Sequence, residues 1–146
     1  MTVKLKKWPH FKGELPTYQS PGASGFDIRA QLAAPLILKK GERAMIPTGL
    51  SFEVPLGFEI QARPRSGLAL KQGLTVLNTP GTVDSDYRGE VKIILINLGQ
   101  EDVVIQDQDR CAQLVIAPVI LAHFELSTEL SDTNRGIGGF GSTGKA

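Results

Sequence analysis

Apolar and polar residues alternate cleanly in GFEIQARP: Phe58, Ile60 and Ala62 take one face of a strand, and Glu59, Gln61 and Arg63 take the other. EVKIILINL and CAQLVIAPVI are richer in β-branched residues and predict strands buried on both faces. Between such runs lie SPGASG, KKGER, IPTG, VPLG, KQG, NTPG, YRG and NLGQ, turn signals that recur about every ten residues. Many short strands at this spacing predict an all-β sandwich or jelly roll. No internal repeat and no heptad pattern competes with that reading.

One segment departs from it. RSGLALKQG carries Ser66 as an N-cap, Leu68, Ala69 and Leu70 as helix formers, Lys71 in the last turn and Gly73 as a stop. These residues predict a short helix. Its start would present the Ser66 and Gly67 amides, with Arg65 just ahead, an arrangement suited to an anion. The alternative is an ordinary capped helix joining two strands.

Beyond HFEL the periodicity ends. STELSDTNRGIGGFGSTGKA cannot bury enough apolar surface to order itself alone, which separates an arm, 125–146, from a β domain, 1–124. The last stretch of that arm has the parts of a phosphate cradle. Glycine leaves backbone N–H groups free, Ser142 and Thr143 supply hydroxyls, and Arg135 and Lys145 supply charge. A flexible tail with no ligand is the alternative.

Composition narrows the choice. A chain of 146 residues fits one domain with a core of its own, and 16 glycines with 9 prolines point away from helical bundles. The formal charge of +1 argues against non-specific nucleic-acid binding, so any anion site must be local. Lys4, Lys6 and Lys7 are expected to decorate a first strand. Cys111 is the only cysteine, has no partner for a disulfide, and reads as a buried structural thiol. No Cys/His spacing fits zinc, and His10 and His123 have no obvious nucleophile beside them. No stretch reads as a signal peptide or a membrane span, so a soluble, reducing, cytoplasmic setting is expected.

The chemistry concentrates in NTPGTVDSDYRGE, residues 78–90, which reads as a compact hairpin. Asp84 and Asp86, two apart, would share a strand face, where they could bind metal, raise one another's pKa or orient water beside a phosphate. Turn formation alone would also explain them. Asn78 offers the donor and acceptor that an amide-like base edge needs. Spacing does not say which aspartate acts.

Five segments in order, SGFDIRA, ARPRSGLAL, NTPGTVDSDYRGE, DRCAQLVI and RGIGGFGSTG, resemble the five motifs of the deoxyuridine triphosphatase (dUTPase) family, spanning residues 24–144. The resemblance implies a jelly-roll-like (β-clip) domain with one short helix, assembled as a homotrimer whose C-terminal arm is exchanged between subunits. It also implies Mg²⁺-dependent hydrolysis of dUTP to dUMP and pyrophosphate, with sites at subunit boundaries. Within it, Asp84 would be the base that activates water for attack on the α-phosphorus. Arg65, Ser66 and Gly67 match the phosphate-binding motif, and Gln113 matches the glutamine near the α-phosphate. Asn78 and the backbone of Gly81, Thr82 and Val83 would read the uracil edge, while Tyr87 would pack on the deoxyribose and reject a 2′-hydroxyl. Lys92 joins the substrate-binding set. From the arm, Phe140 would stack on uracil, and Arg135, Gly141, Ser142 and Thr143 would meet the phosphates. Asp27 matches the acidic residue that reaches Mg²⁺ through water. Cys111 departs from the aliphatic residue commoner at its place. No stable nucleic-acid or membrane partner is expected.

Two rivals remain at this point. A dCTP deaminase of the same fold would need a glutamate at or near Ile94, where this sequence is apolar. A nucleotide-binding regulatory trimer without catalysis would not need Asp84, Asn78, Tyr87 and the tail together.

Overall fold

The alternation in GFEIQARP becomes a strand in which Ile60 and Ala62 are buried and Arg63 is exposed. The computed structural model describes residues 1–139, and among these lie eleven strands and one helix. In chain order they are β1 (Lys4–Lys7), β2 (Gly25–Arg29), β3 (Leu36–Leu38), β4 (Arg43–Pro47), β5 (Leu50–Glu53) and β6 (Phe58–Arg63). Then come α1 (Ser66–Gln72), β7 (Leu74–Val76), β8 (Gly81–Val83), β9 (Lys92–Asn97), β10 (Val103–Ile105) and β11 (Arg110–Pro118). The expected all-β class with one short helix holds.

All strand pairs are antiparallel, and most join distant parts of the chain. One sheet runs β2-β11-β6-β8 and another β4-β9-β7, with β1 on β5 and β3 on β10 as two-stranded ribbons. The long β11 is the hub. Its Gln113 stands opposite Asp27 of β2 on one side and Arg63 of β6 on the other. A register shift between Arg110 and Ala112 leaves Cys111 out of the ladder with β2, and a bulge of this kind turns the flanking side chains to new directions.

The two larger sheets share one core. Ile46, Leu50, Ile60, Ile93, Leu95 and Leu114 are fully buried within it, each contributing about 1.5–3 kcal/mol by leaving water. The polar residues inside are satisfied. Thr48 Oγ1 donates to the Val91 carbonyl at 2.6 Å, and Asn97 Nδ2 donates to the carbonyls of Leu38 and Glu101. Cys111 is buried as expected, and desolvation pushes its thiol up to about 12, which keeps it neutral.

Three local expectations need correction. Ser66 does not cap α1: Arg65 holds the N-cap position in extended conformation, with no side-chain cap bond, and Ser66 opens the helix. The C-terminal stop is as expected, Gly73 taking φ 67° where an added Cβ would run into Gly99. The segment 78–90 is not a hairpin. Its one strand, β8, pairs with β6, because Gly81 fits against Ala62 and Val83 against Ile60. Asp84 and Asp86 therefore do not share a strand face, since β8 ends at Val83 and a turn follows.

Residues 119–139 form no helix or strand, and Phe124, Leu126 and Leu130 are almost wholly exposed. No helix among the described residues is long and apolar enough to cross a membrane.

Candidate active site

The β2-β11-β6 ladder builds one corner of the candidate site. Asp27 on β2 points to where β6 runs into α1, and Arg65 meets it there with Nε on Oδ1 at 2.9 Å and Nη2 on Oδ2 at 3.4 Å. Arg110, at the start of β11, adds Nη1 on Oδ2 at 3.1 Å. The side chains of Asp27 and Arg65 are only 21% and 26% exposed, so this charge-assisted pairing works in a partly dry setting. Arg65 also donates Nη1 to the Arg110 carbonyl at 3.2 Å, which locks the guanidinium plane. Gln113 lies alongside, its Nε2 donating to the Pro64 carbonyl at 2.9 Å. It has room because β2 begins with glycine: a Cβ on Gly25 would stand 3.0 Å from Gln113 Oε1. Ser66 and Gly67 are exposed at the first turn of α1, and nothing lies within 4 Å of where a Gly67 Cβ would be. The Arg65 carbonyl takes the Leu68 and Ala69 amides, so the Ser66 and Gly67 amides stand ahead of the bonded turn.

Strand β8 and the turn after it build the second corner. Gly81 is buried, and a Cβ there would stand 3.2 Å from Asn78 Nδ2 and 3.3 Å from the Ala62 Cβ. Glycine thus lets the Asn78 amide fold over the strand, just after the cis Thr79–Pro80 bond. Asp84 follows the last strand residue and is exposed, and none of the ion pairs among the described residues includes it. Its carbonyl accepts the Tyr87 amide at 3.1 Å, closing the turn. Tyr87 folds back so that its ring covers Gly89 and its Oη donates to the Glu90 carbonyl at 3.0 Å. Arg88 braces the turn through Nη1 on the Ser85 and Tyr87 carbonyls.

This turn opens on a cavity of about 520 Å³ lined by Thr82, Val83, Asp84, Tyr87 and Lys92, together with Trp8, Met45, Glu90, Val91 and Ile94. A cavity of this size suits a nucleotide-sized ligand. The structure therefore brings the sequence candidates together in two groups. Asp27, Arg65 and Gln113 meet at one corner, and Thr82, Val83, Asp84, Tyr87 and Lys92 meet at another; Asp27 and Arg65 line hollows that share no residue with the Asp84 cavity. Arg135 joins neither: its Nε donates to the Gly138 carbonyl of its own segment at 2.8 Å. Phe140, Gly141, Ser142 and Thr143 lie outside the described residues.

The family model for dUTPase matches residues 12–144. The chain belongs to the dUTPase family. A deoxyuridine 5'-triphosphate nucleotidohydrolase of Bdellovibrio bacteriovorus is 75% identical over 146 residues, covering all of this chain and 98% of that protein. One of Treponema denticola is 61% identical over 132 residues, 90% of this chain and 92% of its own. Among solved structures, the dUTPase of Staphylococcus bacteriophage 80alpha with dUPNHPP is 26% identical, with a TM-score of 0.85 over 99% of each chain. All five segments that resemble the dUTPase motifs fall within the matched residues.

Four residues of this dUTPase escaped the sequence reading. Arg110 holds Asp27 from 83 positions away, and Trp8, Met45 and Glu90 line the Asp84 cavity. Arg110 was within reach, because it sits in DRCAQLVI beside Gln113. Trp8 and Met45 enter only through strand pairing, which no local pattern displays. Among the described residues no three His, Cys, Asp or Glu side chains gather into a metal cage, and both Asp27 oxygens face arginines. With both oxygens so engaged, Asp27 leaves no direct place for a metal ion, and any Mg²⁺ there would need ligands from phosphate and water.

Proposed function

We propose that this chain hydrolyses dUTP to dUMP and pyrophosphate by attack of water on the α-phosphorus, which limits uracil in DNA and supplies dUMP for dTMP synthesis. The observation that carries the reading is the 75% identity over the whole chain to a deoxyuridine 5'-triphosphate nucleotidohydrolase, with Asp84 and Tyr87 on one cavity. Asp84 is the general base. Its carboxylate is exposed and in no ion pair among the described residues, which leaves it free to accept a proton from water, as general-base catalysis requires. Arg65 and Gln113 hold and polarise the α-phosphate, and the Ser66 and Gly67 amides take phosphate oxygens. Asn78, with the backbone of Gly81, Thr82 and Val83, reads the uracil edge. A fit tight enough to exclude thymine's methyl is worth about 1–3 kcal/mol. Tyr87 packs on the deoxyribose, and Lys92 adds a cation on the rim of the cavity.

Asp27 would hold Mg²⁺ through water, and the ion would supply neutralisation of charge on the phosphate oxygens. Asp27 and Arg65 lie on hollows separate from the Asp84 cavity, which supports a homotrimer whose sites combine the Asp27 corner of one subunit with the Asp84 corner of another. The 125–146 arm closes over the nucleotide, with Phe140 on uracil and Arg135, Gly141, Ser142 and Thr143 on phosphates. A neutral, buried Cys111 and the balanced charge support a soluble enzyme of the cytoplasm.

Ile94 speaks against the deaminase alternative, because the position where that enzyme needs a glutamate is apolar and lines the same cavity as Asp84. The test supplies dUTP, dCTP, dTTP and UTP with Mg²⁺ and measures pyrophosphate, ammonia and monophosphate. Pyrophosphate and dUMP from dUTP alone are expected. Ammonia from dCTP would establish the deaminase, and binding without product would establish a regulatory protein.

A further inference from the structure

The roles above leave one nearly buried carboxylate without a task. Glu90 ends the segment that carries Asp84 and Tyr87, and its side chain is 9% exposed. Its Oε1 accepts the Gly49 amide at 2.8 Å and lies 2.8 Å from His10 Nε2. Its Oε2 is 3.7 Å from Lys92 Nζ, and its main-chain carbonyl accepts Tyr87 Oη at 3.0 Å. One residue thus ties together the turn between β4 and β5, the N-terminal segment, the start of β9 and the tyrosine ring.

The anchor point is itself fixed. Gly49 has φ +66°, and a Cβ there would stand 3.0 Å from Phe11, so its N–H has little freedom to follow a moving partner. A carboxylate this far out of water has to keep its partners, because an unpaired buried charge is strongly disfavoured. The same end of the segment is held from beneath by Ser51, whose Oγ donates to the Gly89 carbonyl at 2.7 Å and accepts Trp8 Nε1 at 2.8 Å. Asp84, by contrast, hangs from this anchored end across an exposed turn.

We propose that Glu90 is a positioning residue that sets the height of the Tyr87 ring over the cavity and thereby the preference for dUTP over UTP. The inference rests on the dUTPase reading of this site and adds a residue to it. Glu90 borders the cavity, but its carboxylate oxygens are taken up by Gly49, His10 and Lys92. It acts through Tyr87, whose hydroxyl it holds by its carbonyl while its carboxylate fixes the backbone on Gly49. A 2′-hydroxyl is rejected only if the ring cannot retreat, and a tyrosine on a loosened segment would retreat.

The experiment compares the full-length protein with Glu90→Ala, Glu90→Asp and Glu90→Gln, measuring kcat and KM for dUTP and UTP and thermal unfolding for each. Glu90→Ala is expected to reduce the dUTP/UTP ratio of kcat/KM by about tenfold or more, since displacements near 1 Å cost up to about 100-fold. Glu90→Asp keeps the charge but shortens the reach to Gly49, and a similar fall is expected. Glu90→Gln keeps an oxygen for the Gly49 amide and should recover most of the ratio. A folded Glu90→Ala variant with wild-type selectivity would overturn the proposal, whatever its unfolding temperature. Should Glu90→Ala not fold, Glu90→Asp decides by the same criterion. Absence of dUTP turnover in the wild type would overturn the underlying reading, whereas turnover with unchanged selectivity in the variants overturns this proposal alone.

Discussion

At the Asp27 corner every charge faces a partner, whereas at the Asp84 corner the carboxylate stands in the open. Asp27 on β2, Arg110 at the start of the neighbouring β11 and Arg65 just past the end of β6 hold one another within 2.9 to 3.4 Å. Asp84 sits just past the end of β8, in a turn closed by a single backbone bond to Tyr87. The difference fits the roles proposed for the two corners. A guanidinium that receives phosphate works best when its orientation is fixed beforehand. A base needs free lone pairs and room for a water molecule, so a committed carboxylate would be useless.

Breaking the open corner has the largest expected effect. Asp84→Asn is expected to reduce kcat by at least about 10²–10⁴-fold, the usual worth of a positioned base, while dUTP binding stays largely intact. Pyrophosphate release and titration calorimetry read the two separately. Asp27→Asn at the paired corner should cost less, roughly 10- to 100-fold in kcat/KM, as expected for loss of a charged hydrogen-bonding partner. The loss should appear mainly in KM if, as proposed, the residue organises phosphate binding and takes no proton. A reversed order of the two effects would overturn the contrast between the corners.

Smaller changes sharpen it. Gly25→Ala would place a Cβ 3.0 Å from Gln113 Oε1, 3.1 Å from Val115 Cγ2 and 3.2 Å from the Leu114 carbonyl oxygen, so Gln113 and its neighbours on β11 have to give by a few tenths of an ångström. A few-fold loss of kcat/KM is expected together with a modest loss of stability from the crowded β11 contacts, because misplacement near 1 Å is worth up to about 100-fold. Away from both corners, Asp107 serves as the control. The Leu32 amide, and after it Lys12, hold its carboxyl below the ordinary 3.8. A lowered folded pKa means stability that is present above the unfolded value and lost as pH falls through the folded one. Acid unfolding of Asp107→Asn should therefore be flatter below about pH 4 than that of the wild type, with dUTP hydrolysis at neutral pH unchanged.

What the sequence disclosed follows the range of the forces involved. The alternation around Ile60, the stop at Gly73 and the burial of Cys111 are local or near-local effects, and each is legible in a few residues. The cap at α1 was misread because Ser66 has the chemistry of an N-cap, while the chain entering from β6 carries the extended conformation at Arg65 instead. The hairpin expected at 78–90 failed for a non-local reason. Gly81 and Val83 find better partners on β6, some twenty residues back, than within their own segment. Candidate site residues stand out where a motif marks them, as with Asp84 and Gln113. Arg110 and Glu90 were missed because their roles exist only after distant strands pair, bringing Asp27 and Gly49 beside them.

The position of water at the open corner decides the matter most directly. A crystal structure of the protein with Mg²⁺ and a dUTP analogue that cannot be cleaved at the α-phosphorus would show it. A water molecule about 2.6–3.2 Å from the Asp84 carboxylate, in line with that phosphorus, is the expected result. An Asp84 side chain turned away from the phosphorus, with another group holding the water, would contradict it.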